Sequence, residues 1–331
     1  MLLHFLGQKL AQPSTAGATG VNNTSLGSAR RAKNDEFYTQ LSDIEKELRN
    51  YKGHFKGMVV FCNCDDPEWS NFWKYFKLNF EHLGLAKLVA THYAPGESSY
   101  KLEYFGAGQQ VEIPLSGDGD FRSPECVELL QAVDIVVTNP PFSLFREYVG
   151  QLVEYKKQFL IIGNNNAITY KEIFKHIKEN RIWLGVSPRS MRFKQPDGSL
   201  KDVNACWFTN VPHHRRNEEL ILFRTYAGNE GNYPKYDNYD AIEVNKVVDI
   251  PLDYEGAMGV PITFLDKYNP KQFEIVGSYN NGEHGEELGA VKSEVFSNGK
   301  LLMWNGPAVG KRPLYKRIDV RLKNKTSGSA P

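Results

Sequence analysis

The stretch Asp134-Ile135-Val136-Val137-Thr138-Asn139-Pro140-Pro141-Phe142 constrains the fold more than any other part of the chain. Its first half is a short β-branched run between polar residues, which reads as a strand buried on both faces of a parallel sheet. Its second half cannot continue the strand. Two consecutive prolines fix φ and remove two backbone donors, so the strand stops at Asn139 and a rigid turn carries that side chain past the sheet. In an open α/β sheet the carboxyl edge is where ligands bind.

The flanking sequence supplies such a sheet. Ser42 and Glu45 form a capping box, which predicts a helix over residues 43 to 51, and Met58 to Cys62 reads as a strand. Phe72, Phe76, Phe80 and Leu83 recur at helical spacing and predict a core-facing helix. Leu85 to Tyr93 supplies a second strand. Tyr100 to Phe105 and Gln110 to Leu115 resemble a hairpin insertion. Ser123 and Pro124 place an N-cap and an N1 proline before a helix over 124 to 132. Ser143 is expected to cap the next helix, with Leu144, Phe145, Tyr148, Val149 and Leu152 facing the sheet. Gln158 to Ile162 is a further strand, and Thr169 with Glu172 forms a capping box for a helix to Glu179. Strands at 181 to 186, 204 to 210 and 219 to 223 would complete the sheet. This β-α alternation predicts a doubly wound α/β domain over residues 34 to 226.

Residues 1 to 33 read as a flexible basic arm and 326 to 331 as a flexible tail. Beyond residue 227 the texture becomes irregular, with a final strand at Leu314 to Leu322, where Ile318, Val320 and Leu322 alternate with polar residues. A smaller mixed region is expected over 227 to 325.

The 331 residues suffice for a large core, and 41% hydrophobic with 24% charged residues is ordinary globular usage. No apolar run is long enough to span a bilayer and no signal-peptide cleavage pattern is present, so a cytoplasmic protein without a membrane partner is expected. Cys62, Cys64, Cys126 and Cys206 are too irregularly placed for a disulfide framework, and no metal site is expected. His213 and His214, beside two arginines, read as surface residues. The net charge of +1 does not announce a polyanion. Local basic clusters at Arg30, Arg31 and Lys33, at 213 to 216 and at 311 to 325 fit phosphate contact or a solvated face equally.

Asparagine followed by Pro-Pro-aromatic suits a planar amino group. The Asn139 carboxamide oxygen and the Pro140 carbonyl can each accept one amino hydrogen while Phe142 stacks on the attached ring. Holding both hydrogens draws the nitrogen out of conjugation and aims its lone pair at an electrophile, so orientation and electrostatics carry the rate. A base in duplex DNA must leave the stack to be reached. Asn63, Asp65 and Asp66 lie at the end of the first strand, where a nucleoside or amino-acid moiety can bind. Asp118 and Asp120 can accept from a ribose or an adenine amino group, with Phe61 or Phe121 against the ring. No Gly-x-Gly-x-x-Gly follows a strand, and no phosphate-binding Walker loop is present. By itself the motif holds any such amino group, including that of an RNA base or a glutamine amide. A non-catalytic DNA-binding protein with the same fold is a further reading.

Longer stretches narrow the choice. Lys33 to Gln40, Cys62-Asn63-Cys64-Asp65-Asp66-Pro67, Gly117 to Ser123, Asp134 to Phe145, Phe159 to Ile162, Tyr233 to Ala241 and Gly259 to Leu265 resemble the EcoRI-type DNA adenine-N6 methyltransferases over nearly the whole ordered chain. The resemblance implies a Rossmann-like sheet that binds S-adenosylmethionine, a flipped adenine in double-stranded DNA, and methylation at N6. It implies methionine-side donor contacts from Phe37, Tyr38, Thr39 and the Asn63 to Asp66 turn, and adenosine-side contacts from Asp118, Asp120 and Phe121. Asn139, Pro140 and Phe142 become the clamp. It also implies a monomer without a metal, acting in a restriction-modification system beside a separate cognate endonuclease or alone. DNA recognition is expected from residues 187 to 204, with Arg189, Arg192 and Lys194 as candidates, and from the C-terminal region.

Overall fold

The computed structural model describes residues 38–323 apart from 65, 98, 188, 196, 197, 280–287 and 290. Arg30, Arg31, Lys33, Phe37 and Asp65, with the N-terminal arm and the 326–331 tail, lie outside the described residues.

Strand β1 (Tyr38–Thr39) leads into helix α1 (Leu41–Leu48), which buries Ile44 and Leu48 and passes into a 3-10 turn over Arg49–His54. The capping box does not form: Gln40 is the N-cap, and its side chain donates to Arg192 O at 2.7 Å. That long-range bond starts the helix early and leaves Ser42 inside the first turn. Strand β2 (Val59–Cys62) is followed by α2 (Asn71–Leu78), where Ser70 Oγ accepts from Phe72 N and Trp73 N, and by α3 (Phe80–Leu83). Phe72, Phe76, Phe80 and Leu83 are buried, as their spacing predicts.

Strand β3 (Lys87–Thr91) pairs with β4 (Tyr100–Tyr104), which pairs with β5 (Gln110–Pro114). The hairpin is therefore the outer part of the main sheet rather than an insertion. Helix α4 (Pro124–Ala132) begins where the sequence places it, with Ser123 Oγ accepting from Cys126 N, and delivers the chain to β6 (Ile135–Thr138). After the prolines comes a 3-10 turn, Phe142–Leu144, and then α5 (Phe145–Glu154). Ser143 lies within that turn, because Pro141 already directs the chain into it, and does not cap the helix. Strand β7 (Gln158–Asn164) precedes α6 (Lys171–Lys178). Here too the expected box is replaced: Thr169 Oγ1 donates to Asn166 O at 2.7 Å and closes a 3-10 turn, leaving Tyr170 as N-cap.

Strands β8 (Trp183–Leu184), β9 (Met191–Lys194), β10 (Leu200–Val203) and β11 (Ala205–Thr209) follow. Among the described residues the main sheet has eight strands in the order β5-β4-β3-β2-β6-β7-β11-β8, with the central β3-β2-β6-β7 parallel. Residues 219 to 223 form no strand. Ile221 is 84% exposed, and Leu220 N and O both bond the Gln272 carboxamide, so no neighbouring strand takes its ladder bonds.

Apolar side chains cover both faces. Ile44, Phe72 and Phe76 pack on one face with Trp207, while Leu130, Tyr148, Val149 and Phe174 pack on the other. The second cluster continues into a four-stranded sheet, β12-β13-β19-β14, built from β12 (Ala241–Glu243), β13 (Ala257–Pro261), β14 (Phe273–Tyr279) and β19 (Arg317–Leu322). Ordered between β14 and β19 are two ribbons, β15 (Ser293–Ser297) with β16 (Lys300–Trp304), and β17 (Ala308–Val309) with β18 (Arg312–Pro313).

Ile318 and Val320 point into this core as expected, but Asp319, expected outside, is only 2% exposed, because β19 is flanked by β13 and β14. Tyr239 Oη donates to Asp319 Oδ1 at 3.2 Å. Nearby, Arg317 pairs with Glu243 at 2.6 Å, and Tyr236 Oη donates to Glu243 at 2.7 Å. Gly259 admits this network, since a Cβ there would lie 1.6 Å from the Tyr236 hydroxyl.

Burial pushes the Asp319 carboxyl up to about 7, against the Tyr239 hydrogen bond and helped by the Glu243 charge. A folded pKa above the unfolded value means that the native state holds this proton more tightly. Stability from this group is complete below about pH 4 and falls by up to about 4 kcal/mol as pH rises to about 7. Asp319→Asn removes the titration. The urea midpoint of the variant relative to wild type is expected to rise between pH 5 and pH 8, and parallel profiles would overturn the assignment.

Candidate active site

From β2 the chain turns to β3 on one side and later returns to β6 on the other, so the crevice between the carboxyl ends of β2 and β6 is a topological switch point. Cys64 N donates to Thr138 Oγ1 at 3.3 Å across that crevice, fastening the turn after β2 to the end of β6. Asn63 and Asn139, which follow the two strands, are both buried. The apolar strands thus bring two carboxamides, separated by 76 positions of chain, to one edge of the sheet.

On the β2 side, Tyr148 Oη of α5 donates to Asn63 Oδ1, and Thr91 Oγ1 donates to Asn63 O at 3.5 Å. Burial, reinforced by Cys64, holds the Tyr148 hydroxyl well above the ordinary tyrosine range, so it remains a donor. Asp66 closes its own turn by accepting from Glu68 N at 2.9 Å, and its Oδ2 lies 3.2 Å from His92 Nδ1. The loop carrying Asp118 and Asp120 returns to the same edge: Ala94 N donates to Asp118 O at 2.8 Å. Gly119 is required there, with φ of +78° and a Cβ position 1.9 Å from His92 O. Asp118 Oδ1 accepts from Asp120 N at 3.0 Å, while Asp120 is gripped by Arg122 through both oxygens, at 2.8 and 2.6 Å. Burial works to raise the Asp120 pKa, but the bonds and charge of Arg122 prevail and hold it below the usual carboxylate range. Phe121 packs edge-on against Tyr148 at 5.0 Å. Phe61 is 0% exposed and belongs to the core, where it supports this edge from below.

On the β6 side, Pro140 is buried and Phe142 half-buried, and every peptide bond among the described residues is trans. The Phe142 ring meets Phe193 of β9 edge-on at 6.4 Å. Strand β9 pairs with β1 and β10 in a small separate sheet, with Thr39 opposite Phe193 and Tyr38 opposite Lys194. Asn71 Nδ2 donates to Thr39 O at 2.7 Å, tying that sheet to α2. Tyr38 and Thr39 are thereby brought beside the strand that carries Phe193 against Phe142.

The model of the family described as adenine-specific methyltransferase EcoRI matches residues 25–323. The chain belongs to this family. It is 49% identical over 294 residues to the type II methyltransferase M.EcoRI of Escherichia coli, covering 78% of this chain and 90% of the relative. It is 46% identical over 272 residues to M.MpnI of Mycoplasma pneumoniae, covering 76% and 85%, and 40% identical to M.MgeORF184P of Mycoplasma genitalium, covering 76% and 86%. No solved structure matches significantly. Like the rest of the EcoRI family, the chain is an S-adenosylmethionine-dependent DNA adenine-N6 methyltransferase.

The structure also places the remaining candidates of this family member and three residues that the sequence does not single out. The Arg189 guanidinium is occupied by Asp266 at 2.7 Å and Ile262 O at 2.9 Å. Arg192 is exposed and pairs with Asp202 at 2.8 Å, while Lys194 is exposed on the same strand. His213 is buried rather than on the surface: its Nε2 lies 2.9 Å from Leu184 O, and burial pushes its pKa down to about 4. Tyr148, Phe193 and Glu47 escape the sequence reading. Tyr148 and Phe193 look like ordinary core aromatics, and only their partners give them a role. Glu47 is fully buried and accepts from Val186 N at 2.8 Å, Ser187 N at 2.7 Å and Tyr51 Oη at 2.7 Å. The one local signal for it is its place on the apolar face of α1, beside Leu48.

The four cysteines are free thiols, and no group of three His, Cys, Asp or Glu among the described residues could hold a metal ion. No described helix is long and apolar enough to cross a membrane.

Proposed function

We propose that the crevice between β2 and β6 holds the methyl donor on its β2 side and a flipped adenine from duplex DNA on its β6 side. The observation that supports this most directly is the Cys64 N to Thr138 Oγ1 bond, which joins the two strand ends with Asn63 and Asn139 buried on either side.

The donor set has chemistry that fits S-adenosylmethionine. Asp66 and Asp118 present half-buried carboxylates to a cationic, hydroxyl-bearing molecule, Asn63 offers a fixed carboxamide, and Phe121 offers an aromatic edge. Tyr38 and Thr39, with Phe37 and Asp65, fall to the methionine side. Asp120 acts through Arg122 and its own loop. Phe61 supports the site without reaching the ligand. The donor supplies the methyl group when bound.

The chain's own residues prepare the acceptor. Asn139 Oδ1 and Pro140 O accept the two amino hydrogens, and Phe142, backed by Phe193, lies against the base. With both amino hydrogens accepted by Asn139 Oδ1 and Pro140 O, the nitrogen lone pair would be left free for the methyl group that the donor would supply as its carbon–sulfur bond breaks, and the surplus amino proton would pass to water afterwards, so no strong base is needed.

DNA is read by residues 187 to 204 and by the region from 227 to 325, while the 1 to 33 arm, through Arg30, Arg31 and Lys33, contacts the backbone. Arg192 and Lys194 face solvent on β9, and an ion pair as exposed as Arg192 with Asp202 yields readily to a phosphate. Arg189 serves instead as a tether between β9 and the C-terminal region. The protein acts as a monomer in the cytoplasm, with any cognate endonuclease a separate protein.

Labelled donor incubated in parallel with genomic DNA, total RNA and cell protein tests this. Label is expected in DNA alone, as N6-methyladenine on nucleoside analysis. Label in RNA, or in a protein glutamine, would overturn the substrate assignment.

A further inference from the structure

Among the described residues the β15–β16 ribbon pairs with none of the three larger sheets, and it carries an unusual outer face. Asn298 and Gly299, both at positive φ, make its two-residue turn. Glu294 pairs with Met303 and Phe296 with Leu301, so these four side chains share one face, while Val295 and Leu302 share the other. Val295 is fully buried and anchors the inner face. On the outer face Phe296 is 55%, Leu301 52% and Met303 63% exposed. Three large apolar side chains side by side in water are costly, and they mark a surface that something else covers.

Charge indicates what covers it. Residues 291 to 316 carry Lys292, Lys300, Lys311, Arg312 and Lys316, all exposed, against Glu294 at the end of the apolar face and Asp237, whose carboxylate is held at the rim by Gly310 N at 3.1 Å and Lys311 N at 2.7 Å, so cations prevail. Lys311 is held beside the ribbon, since Phe296 N donates to Lys311 O at 2.8 Å. A protein partner would have to be strongly acidic to meet this rim, whereas a nucleic acid offers deoxyribose faces, thymine methyls and base faces to apolar side chains between its rows of phosphate. A two-stranded ribbon is also an element that fits a DNA groove.

Position agrees. Asn165, immediately after β7, donates through Nδ2 to Arg189 O at 2.8 Å. Arg189 Nη2 donates to Ile262 O at 2.9 Å, and Ile262 N donates to Lys316 O at 3.0 Å. Three bonds in series thus connect the carboxyl edge that bears the clamp to the basic rim of the ribbon.

We propose that the β15–β16 ribbon is a DNA-docking element, with Phe296, Leu301 and Met303 packed into a groove and Lys300, Lys311 and Arg312 on the flanking phosphates. This rests on the reading that the substrate is duplex DNA, and it adds the surface by which the duplex is held. The apolar face supplies groove contact, and the cations supply salt-dependent affinity.

Two variants of the full chain test it. One carries Phe296→Ser, Leu301→Ser and Met303→Ser, and the other Lys300→Gln, Lys311→Gln and Arg312→Gln. Affinity for a fluorescent mixed-sequence duplex is read by anisotropy across a salt series without donor, and folding is checked by thermal melting. The serine variant is expected to bind about tenfold more weakly. The glutamine variant should flatten the slope of log affinity against log salt by about 2 to 3. Wild-type affinity and slope in both would overturn the proposal. So would a sedimentation shift from dimer to monomer in the serine variant with DNA binding intact, because the face would then join two copies. Affinity is measured apart from methylation, so a wild-type chain that binds through the ribbon but transfers no methyl to DNA would indict the clamp and leave the ribbon standing.

Discussion

Asn139→Ala is expected to lower single-turnover methyl transfer by about 10² to 10³-fold, the usual cost of removing one preorganised polar contact to the reacting group. The position follows β6 directly and its side chain is buried at the sheet edge, so alanine leaves a small polar gap and little strain. Duplex affinity, carried by basic surface residues elsewhere, should be retained, and so should donor affinity measured by calorimetry. The measurement that matters is the single-turnover rate with saturating DNA and donor, because product release cannot mask it. Asn139→Asp is informative beside it. An ionised carboxylate still accepts the amino hydrogen that Asn139 Oδ1 takes but adds charge to the clamp, so it should transfer faster than alanine and slower than wild type. Turnover near wild type in the alanine variant would remove Asn139 from the mechanism and leave the family assignment untouched.

Loss of Glu47 should have the largest effect on stability. Its buried carboxylate accepts two backbone amides, from Val186 and Ser187, and the Tyr51 hydroxyl. Gly185 permits this approach, since a Cβ there would lie 2.3 Å from Glu47 Oε1. In Glu47→Ala three donors lose their acceptor, Tyr51 Oη in the core and two backbone amides that are part-buried, and the expected cost is about 3 to 5 kcal/mol. Urea denaturation should show it as a lower midpoint with an unchanged slope. Glu47→Gln keeps one oxygen acceptor and should recover part of the loss. A midpoint within experimental error of wild type in the alanine variant would refute the structural role. The loop that Glu47 holds leads into Arg189 and β9, so the surviving folded fraction should also bind DNA more weakly.

The contrast between these two residues shows what the sequence discloses. Asn139 is legible because the signal is local: an apolar β-branched run, then two prolines, can only be a buried strand stopped at an edge. The helix at 124 to 132 is legible for the same reason, since Ser123 and Pro124 fix its start within two residues. Glu47 is not legible, because its two backbone partners lie about 140 positions away and only the folded chain brings them together. The failed capping boxes at Ser42 and Thr169 are of the same kind, as is Arg189, whose guanidinium is claimed by Asp266 and not left on the surface. The Asn298-Gly299 turn was a local signal that could have located the β15–β16 ribbon.

By itself, then, the sequence determined the parallel strands, the point at which β6 stops and the residue types that follow it at the sheet edge, because proline geometry and apolar periodicity act over a few neighbouring residues. Tertiary structure decided which groups meet there: Tyr148 on Asn63, Phe193 behind Phe142 and Cys64 on Thr138; in the C-terminal sheet it buried Asp319 where alternation placed it outside. Those outcomes depend on which strands become neighbours and which faces are covered, and burial then sets the hydrogen bonds and charge states that a linear pattern does not contain.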